Sequence, residues 1–326
     1  LWIGDSSEEK DLMKNYKPED LKKVRTYPIG KRKNKVGVDE FARASRKREG
    51  FERFFSSLPD ILAAKDLREV VDAVVQAHEN GRPVVLAMGA HVIKCGLSPI
   101  VIDLIKRDVI TAVVMNGAGT IHDYEVSLVG GSSEDVAEEI RTGRFGMADE
   151  TGRDILESLV QGASKGQGYG ESLGRYILKK KNTHQRYSIL AAAVKKGIPV
   201  TVHVAMGTDI IHMHPDMDGA IMGEVTHTDF KILCSVVAEL GQGGVWINVG
   251  SAVLLPEVFL KALSVARNLG HDVSDFITAN FDMIQHYRPQ ENVVRRPTLA
   301  SGKGYALTGH HEIMIPLLAR AILERL

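Results

Sequence analysis

Apolar and polar positions alternate along this chain in two rhythms. Short, nearly continuous apolar runs cover residues 83–88, 109–115, 198–204, 245–249 and 273–279. Runs of this length without a polar face predict strands covered on both sides, as in a parallel sheet. Between them lie amphipathic stretches with helical spacing at 66–80, 98–107, 184–196, 226–240, 256–269 and 312–326. Leu67, Val70, Val71, Ala73 and Val74 set that spacing in the first, and Gly81-Arg82-Pro83 stops it. Residues 51–58 predict a further short helix and 120–180 a mostly helical segment. Ser98 before Pro99 suits a helix start. Strand and helix in alternation predict an α/β fold, a doubly wound, mostly parallel sheet. Residues 1–50 are polar and weakly periodic and read as an N-terminal arm; residues 51–326 read as one α/β nucleotide-binding domain. Residues 284–304 read as irregular. Gly162 to Gly174 holds five glycines with no strand before it, so it reads as a loop between helices rather than a dinucleotide fingerprint.

The predicted strands end alike. Met88 leads into Gly89-Ala90-His91, the second run into Asn116-Gly117-Ala118-Gly119, and Val249 into Gly250-Ser251. Open α/β sheets bind ligands at such ends, and small residues there let a flat cofactor approach. Three tips of this kind favour a nucleotide-sized ligand.

Composition narrows the class. Forty-one basic and forty-one acidic side chains cancel, which leaves no electrostatic footprint for nucleic acid or an anionic membrane. No apolar run approaches the ~20 residues of a membrane-spanning helix. Two cysteines are too few for a disulfide framework, so a reducing, cytoplasmic setting is the expectation.

Candidate chemistry centres on histidine, the usual acid or base near neutral pH. His122 beside Asp123, and His203 with Asp209, are the candidate catalytic groups. His203, His212 and His214 could instead bind zinc in a metal-assisted hydrolase or lyase. Lys94 and Lys303 are candidate covalent amines, and Cys95 a candidate nucleophile. His310-His311-Glu312 reads as a helix start. Arg288, Arg295 and Arg296 suit a small anionic substrate.

The order of these tips resembles the deoxyhypusine synthase family over roughly residues 36–325. The resemblance rests on Gly89 to Gly96, Asn116-Gly-Ala-Gly-Thr-Ile-His-Asp123, the Asp209 region, Gly250-Ser-Ala-Val253 and Thr278-Ala-Asn-Phe-Asp282. It implies a homotetramer with a Rossmann-like NAD-binding fold that transfers an aminobutyl group from spermidine to a protein lysine. NAD-contacting positions would be Gly89, Ala90, His91, Asn116, Gly117, Ala118, Gly119, Asp123, Asp209, Gly250, Ser251, Asn280 and Asp282. The family's catalytic lysine falls at Leu254, which cannot form an imine. The expectation is therefore a deoxyhypusine synthase-like NAD enzyme with a different reaction on a small substrate. The metal-assisted reading and a non-catalytic nucleotide-binding protein stay open beside it.

Overall fold

Each of the first strands lies between two apolar layers, and its residues alternate between them. In the computed structural model, which describes residues 16–326, Val84, Leu86 and Met88 of β1 (Val84–Met88) join one buried cluster. Val85 and Ala87 join the other. β2 (Ala112–Asn116) divides in the same way. With β3 (Val200–His203), β4 (Val245–Val249), β5 (Ile277–Asp282) and β6 (Lys303–Thr308) they form one sheet in the order β3-β2-β1-β4-β5-β6. Every pairing is parallel. This α/β architecture agrees with the doubly wound expectation.

The helices are α1 (Phe51–Ser57), α2 (Leu62–Glu79), α3 (His91–Lys94), α4 (Ser98–Lys106), α5 (Gly117–Val129), α6 (Val136–Glu139) and α7 (Asp149–Ala163). They continue as α8 (Tyr169–Lys180), α9 (Ile189–Lys196), α10 (Gly219–Ala238), α11 (Leu254–Asn268), α12 (Tyr287–Pro289) and α13 (His311–Leu323). α10 and α11 supply Leu233, Val237, Leu255 and Phe259 to one layer; α2, α4, α8 and α13 supply the other. By contact the chain divides into residues 1–40 and 41–326. The described part of the first unit holds three short 3-10 turns with no buried residue. Among the described residues no helix is long and apolar enough to cross a membrane.

Three expectations are corrected. The last expected strand, 273–279, lies at 277–282, because Asp275 at φ 53° breaks the extended run. Asn280 and Asp282 therefore sit within β5 and not on a loop beyond it. The segment 284–304 is not irregular: it carries α12, a π-helical stretch (Gln290–Arg295) and a 3-10 turn (Arg296–Thr298). β6 was hidden because it is an edge strand that buries only Tyr305 and Leu307. The glycine-rich stretch belongs largely to α7 and α8. A Cβ on Gly170 would lie 2.1 Å from the Val200 carbonyl oxygen, so glycine there lets α8 press on β3.

β3 is the other edge, and α10 covers it. The Asp229 carboxylate accepts from the Val202 N–H at 2.8 Å and the Gly170 N–H at 3.0 Å. Thr226 donates to the Val202 carbonyl at 2.9 Å. Two side chains thus stand in for a neighbouring strand. Asp229 is fully buried, and that burial pushes its pKa up to about 8 against the opposing amide hydrogen bonds.

An unfolded aspartate ionises near ~3.9, so between about pH 4 and 8 the folded state keeps a proton that the unfolded state has lost. Asp229 therefore withdraws stability as pH rises through that window. Thermal melts of wild type and Asp229→Asn from pH 5 to 8 should show the variant gaining on wild type as pH rises; a constant difference would contradict this.

Candidate active site

The strand order reverses between β1 and β4, and here two turns interlock. The Gly89 N–H donates to the Val249 carbonyl at 2.9 Å, and the Gly250 N–H to the Phe281 carbonyl at 3.1 Å. A Cβ on Gly89 would lie 2.2 Å from the Gly250 oxygen. Gly250 is left-handed at φ 63°, and a Cβ on it would lie 2.7 Å from the His311 ring. These glycines thus serve turn-on-turn packing, a reason different from open space for a cofactor. His311 is buried and has its Nε2 3.2 Å from the Phe281 oxygen, while its Nδ1 has no partner. The sequence suggested a mere helix start there. The His91 ring lies 5.5 Å from it, and Ala90 sits between Gly89 and His91 at the start of α3. The Ser251 hydroxyl accepts from the Leu255 N–H at 3.3 Å and so caps α11, whose first residue is Leu254.

Asn280 is committed elsewhere. It accepts from Asn248 at 2.7 Å and donates to Gln285 at 2.7 Å, which ties β4 and β5 to the segment after them. Asp282 accepts from the Met283 N–H at 2.8 Å.

At the neighbouring tip, Asn116 is the last residue of β2 and the N-cap of α5. Its side chain accepts from the Gly119 N–H at 3.0 Å. Gly117, Ala118 and Gly119 are therefore the first turn of a helix and not a free tip. The Asp209 carboxylate, from the β3 loop, lies against this turn: a Cβ on Gly117 would be 2.0 Å from Asp209 Oδ2. Burial pushes Asp209 up to about 6, opposed by the Ala118 N–H and the Thr208 hydroxyl. Asp209 Oδ2 is buried without a hydrogen-bond partner.

Asp123 does not orient His122. It is fully buried inside α5 and accepts from Ser188 Oγ at 2.5 Å, the Ile189 N–H at 2.7 Å and the Leu190 N–H at 3.3 Å. It caps α9. Adjacent helix residues point about 100° apart, so His122 faces the other way.

His122 lines a cavity of about 210 Å³ with Lys94, Glu125, Glu134, Phe145 and Asp209 among its walls. His122 Nδ1 lies 2.5 Å from Ser132 Oγ, which donates to Glu125 Oε2 at 2.5 Å. Thr151 holds the other Glu125 oxygen at 3.0 Å. Burial lowers the His122 pKa; Glu125 opposes this and Lys94 adds to it. Glu125 was foreseeable, three residues from His122 on one helix face. Ser132 and Glu134 were not, because a loop brings them back.

The three histidines of the alternative zinc reading disperse. His203 is buried in β3 beside Thr201 Oγ1 at 3.1 Å, and burial pushes its pKa down to about 4. His212 Nδ1 accepts from the Gly207 and Asp209 N–H groups at 3.1 and 3.2 Å. The His214 ring packs on Gly152 of α7. Among the described residues no three His, Cys, Asp or Glu side chains gather as a metal requires.

The other candidates are also occupied. Lys303 pairs with Glu69 on the edge of the sheet. Burial and then Glu312 push the Cys95 thiol up, away from a nucleophilic thiolate. Arg288 pairs with Glu257, Arg295 with Glu291, and Arg296 with Glu291 and Asn292. Arg295 and Arg296 share the one Glu291 carboxylate and Arg288 shares Glu257 with Lys261, so each arginine is engaged while the group keeps a positive balance.

No protein-family model matches the chain. It is 23% identical over 268 residues to a deoxyhypusine synthase-like protein of Elusimicrobium minutum (strain Pei191), covering 73% of this chain and 67% of that protein. The fold matches a solved Entamoeba histolytica protein, provisionally assigned as a deoxyhypusine synthase, with TM-score 0.52 and 10% identity. That match covers 85% of this chain and 94% of the other. The likeness is to the deoxyhypusine synthase-like family. A provisionally assigned LOR/SDH protein of Methanococcus maripaludis S2 aligns with TM-score 0.49 and 14% identity, over 85% of this chain and 71% of that one.

Glycine to alanine ordinarily stabilises a helix by up to ~1 kcal/mol. Gly117→Ala should instead lower stability by about 1–3 kcal/mol, since the new methyl must displace a buried carboxylate. Chemical denaturation reads the sign directly.

Proposed function

We propose that the chain is an NAD-dependent enzyme acting on a small amine-bearing substrate, with His122 as the proton acceptor. The observation that carries this is Asp209 Oδ2, a buried acceptor without a donor at the end of β2. Sheets ordered 3-2-1-4-5-6 bind dinucleotides outside the carboxyl ends of their strands, where the order reverses. In that fold an acid near the end of the second strand accepts the ribose hydroxyls. Here the acid comes from the β3 loop. The donor set fits the cofactor: Asp209 supplies the missing acceptor, and His311 Nδ1 is a second unpartnered polar atom on the same edge. The Asp209 carboxylate also lies on the first turn of α5, which disfavours a pyrophosphate at that helix start.

The cavity walls argue for a cationic substrate. Glu125, Glu134 and Asp209 face Lys94 alone among the charged groups that line it. NAD, when bound, supplies a hydride acceptor. A substrate ammonium must first lose one N–H proton; hydride can then leave the adjacent carbon of the neutral amine, whose nitrogen lone pair forms the C=N bond of an iminium. A neutral imidazole beside the site can take that proton, and the lowered His122 pKa keeps the ring neutral at pH 7. Leu254 offers no amine, so the substrate is not carried as an imine on the chain at that position.

Calorimetric titration should give saturable NAD binding that Asp209→Asn weakens tenfold or more. An absence of binding at millimolar NAD to folded protein would overturn the cofactor reading. In an amine-dependent NAD-reduction assay, His122→Asn should lower kcat by about 10²–10⁴-fold.

A further inference from the structure

We propose that Glu125 and Ser132 are positioning residues that set His122 as a base at Nε2. This rests on the reading of His122 as the proton acceptor and extends it to groups that never touch substrate. The number of hydrogens on each group fixes the tautomer. The Glu125 carboxylate only accepts. Its Oε1 takes the Thr151 hydroxyl proton and its Oε2 the Ser132 hydroxyl proton. Ser132 has one hydroxyl hydrogen, and that one is spent on Glu125. Toward His122 its oxygen has only lone pairs, so His122 Nδ1 must be the nitrogen that carries the proton. Nε2 then keeps its lone pair, and among the described residues it has no hydrogen-bond partner.

The same chain of contacts favours the product of proton uptake. When Nε2 gains a proton, the ring becomes cationic, and Glu125 Oε2 lies 3.9 Å from Nδ1. The imidazolium forms next to a carboxylate that is already held in place by Thr151. Lys94, from α3 across the cavity, opposes the charge; Glu134 and Asp209, from the two flanking loops, are the other ionisable groups that line it. The tautomer depends on the loop after α5, where Gly130 and Ser133 are both left-handed, at φ 76° and 77°. That geometry turns the chain back so that Ser132 reaches its own helix. A second-row oxygen that fixes the tautomer of a working histidine is a recurring device.

Ring ¹⁵N spectra of histidine-labelled protein, assigned with His122→Asn, test the relay without cofactor or substrate. At neutral pH His122 should be the Nδ1–H tautomer. In Glu125→Gln its titration midpoint should fall by about one pH unit, because an opposite charge is lost. In Ser132→Ala, an exposed-loop change, the tautomer should become a mixture, and kcat should fall with little change in KM. An Nε2–H tautomer in wild type, or an unmoved midpoint in Glu125→Gln, overturns the proposal. Should Glu125→Gln fail to fold, a retained Nδ1–H tautomer in Ser132→Ala overturns it. Protein that keeps the tautomer but binds no NAD retains the relay and loses the cofactor reading, so the two failures are separable.

Discussion

The central strands are covered on both faces, and this constrains everything else. Their side chains have no route to solvent, so β1, β2 and β4 carry little but apolar residues along their length. Function is left to the carboxyl ends, where backbone amides and incoming loops meet. The edge of this sheet is crowded, and the crowding is polar. Asn116 closes β2 by capping α5, Gly89 and Gly250 interlock, and Asp209 from the β3 loop and His311 from the start of α13 lie against those turns. Each contact brings a group that would otherwise be solvated into a place where its hydrogen bonds must be found locally.

Buried aspartates show how differently that demand is met. Asp123 is given three donors and serves as the cap of α9. Asp229 takes two backbone amides on one oxygen and replaces a missing strand at β3, while its other oxygen has no partner. Asp209 keeps one oxygen without any partner. Burial raises the pKa of all three. What separates Asp229 from Asp209 is where the unpartnered oxygen lies: Asp229 Oδ1 packs against Gly168 in the interior, whereas Asp209 lines the cavity beside His122. His212 and His122 each have one ring nitrogen engaged, but His212 uses it on its own loop amides and keeps Nε2 buried 3.8 Å from Asp209 Oδ2, whereas His122 lines the cavity.

Much of the fold was legible because burial on two faces writes itself into composition. Four of the six strands read as apolar runs of the right length. β5 was displaced because Val273 and Phe276 are core residues on a loop, and apolar character does not reveal that Asp275 reverses the backbone. β6 was missed because an edge strand with half-exposed residues has the pattern of a loop. Within the site, Asn116 and Gly117 were found from their place after an apolar run, but their role was not. A capping asparagine and a strand-tip asparagine look the same until the helix after it is seen.

Local rules are sufficient for strand, helix and the small residues between them, because these depend on neighbours a few positions away. That much was settled by the order of residues along the chain. The return of Ser132 to His122, the use of Asp123 as a cap for α9 and the packing of His214 on Gly152 were decided only on folding. Each depends on where a loop returns or which helix stands opposite. Their partners lie 10 to 66 residues apart, and the spacing of residues carries no record of them.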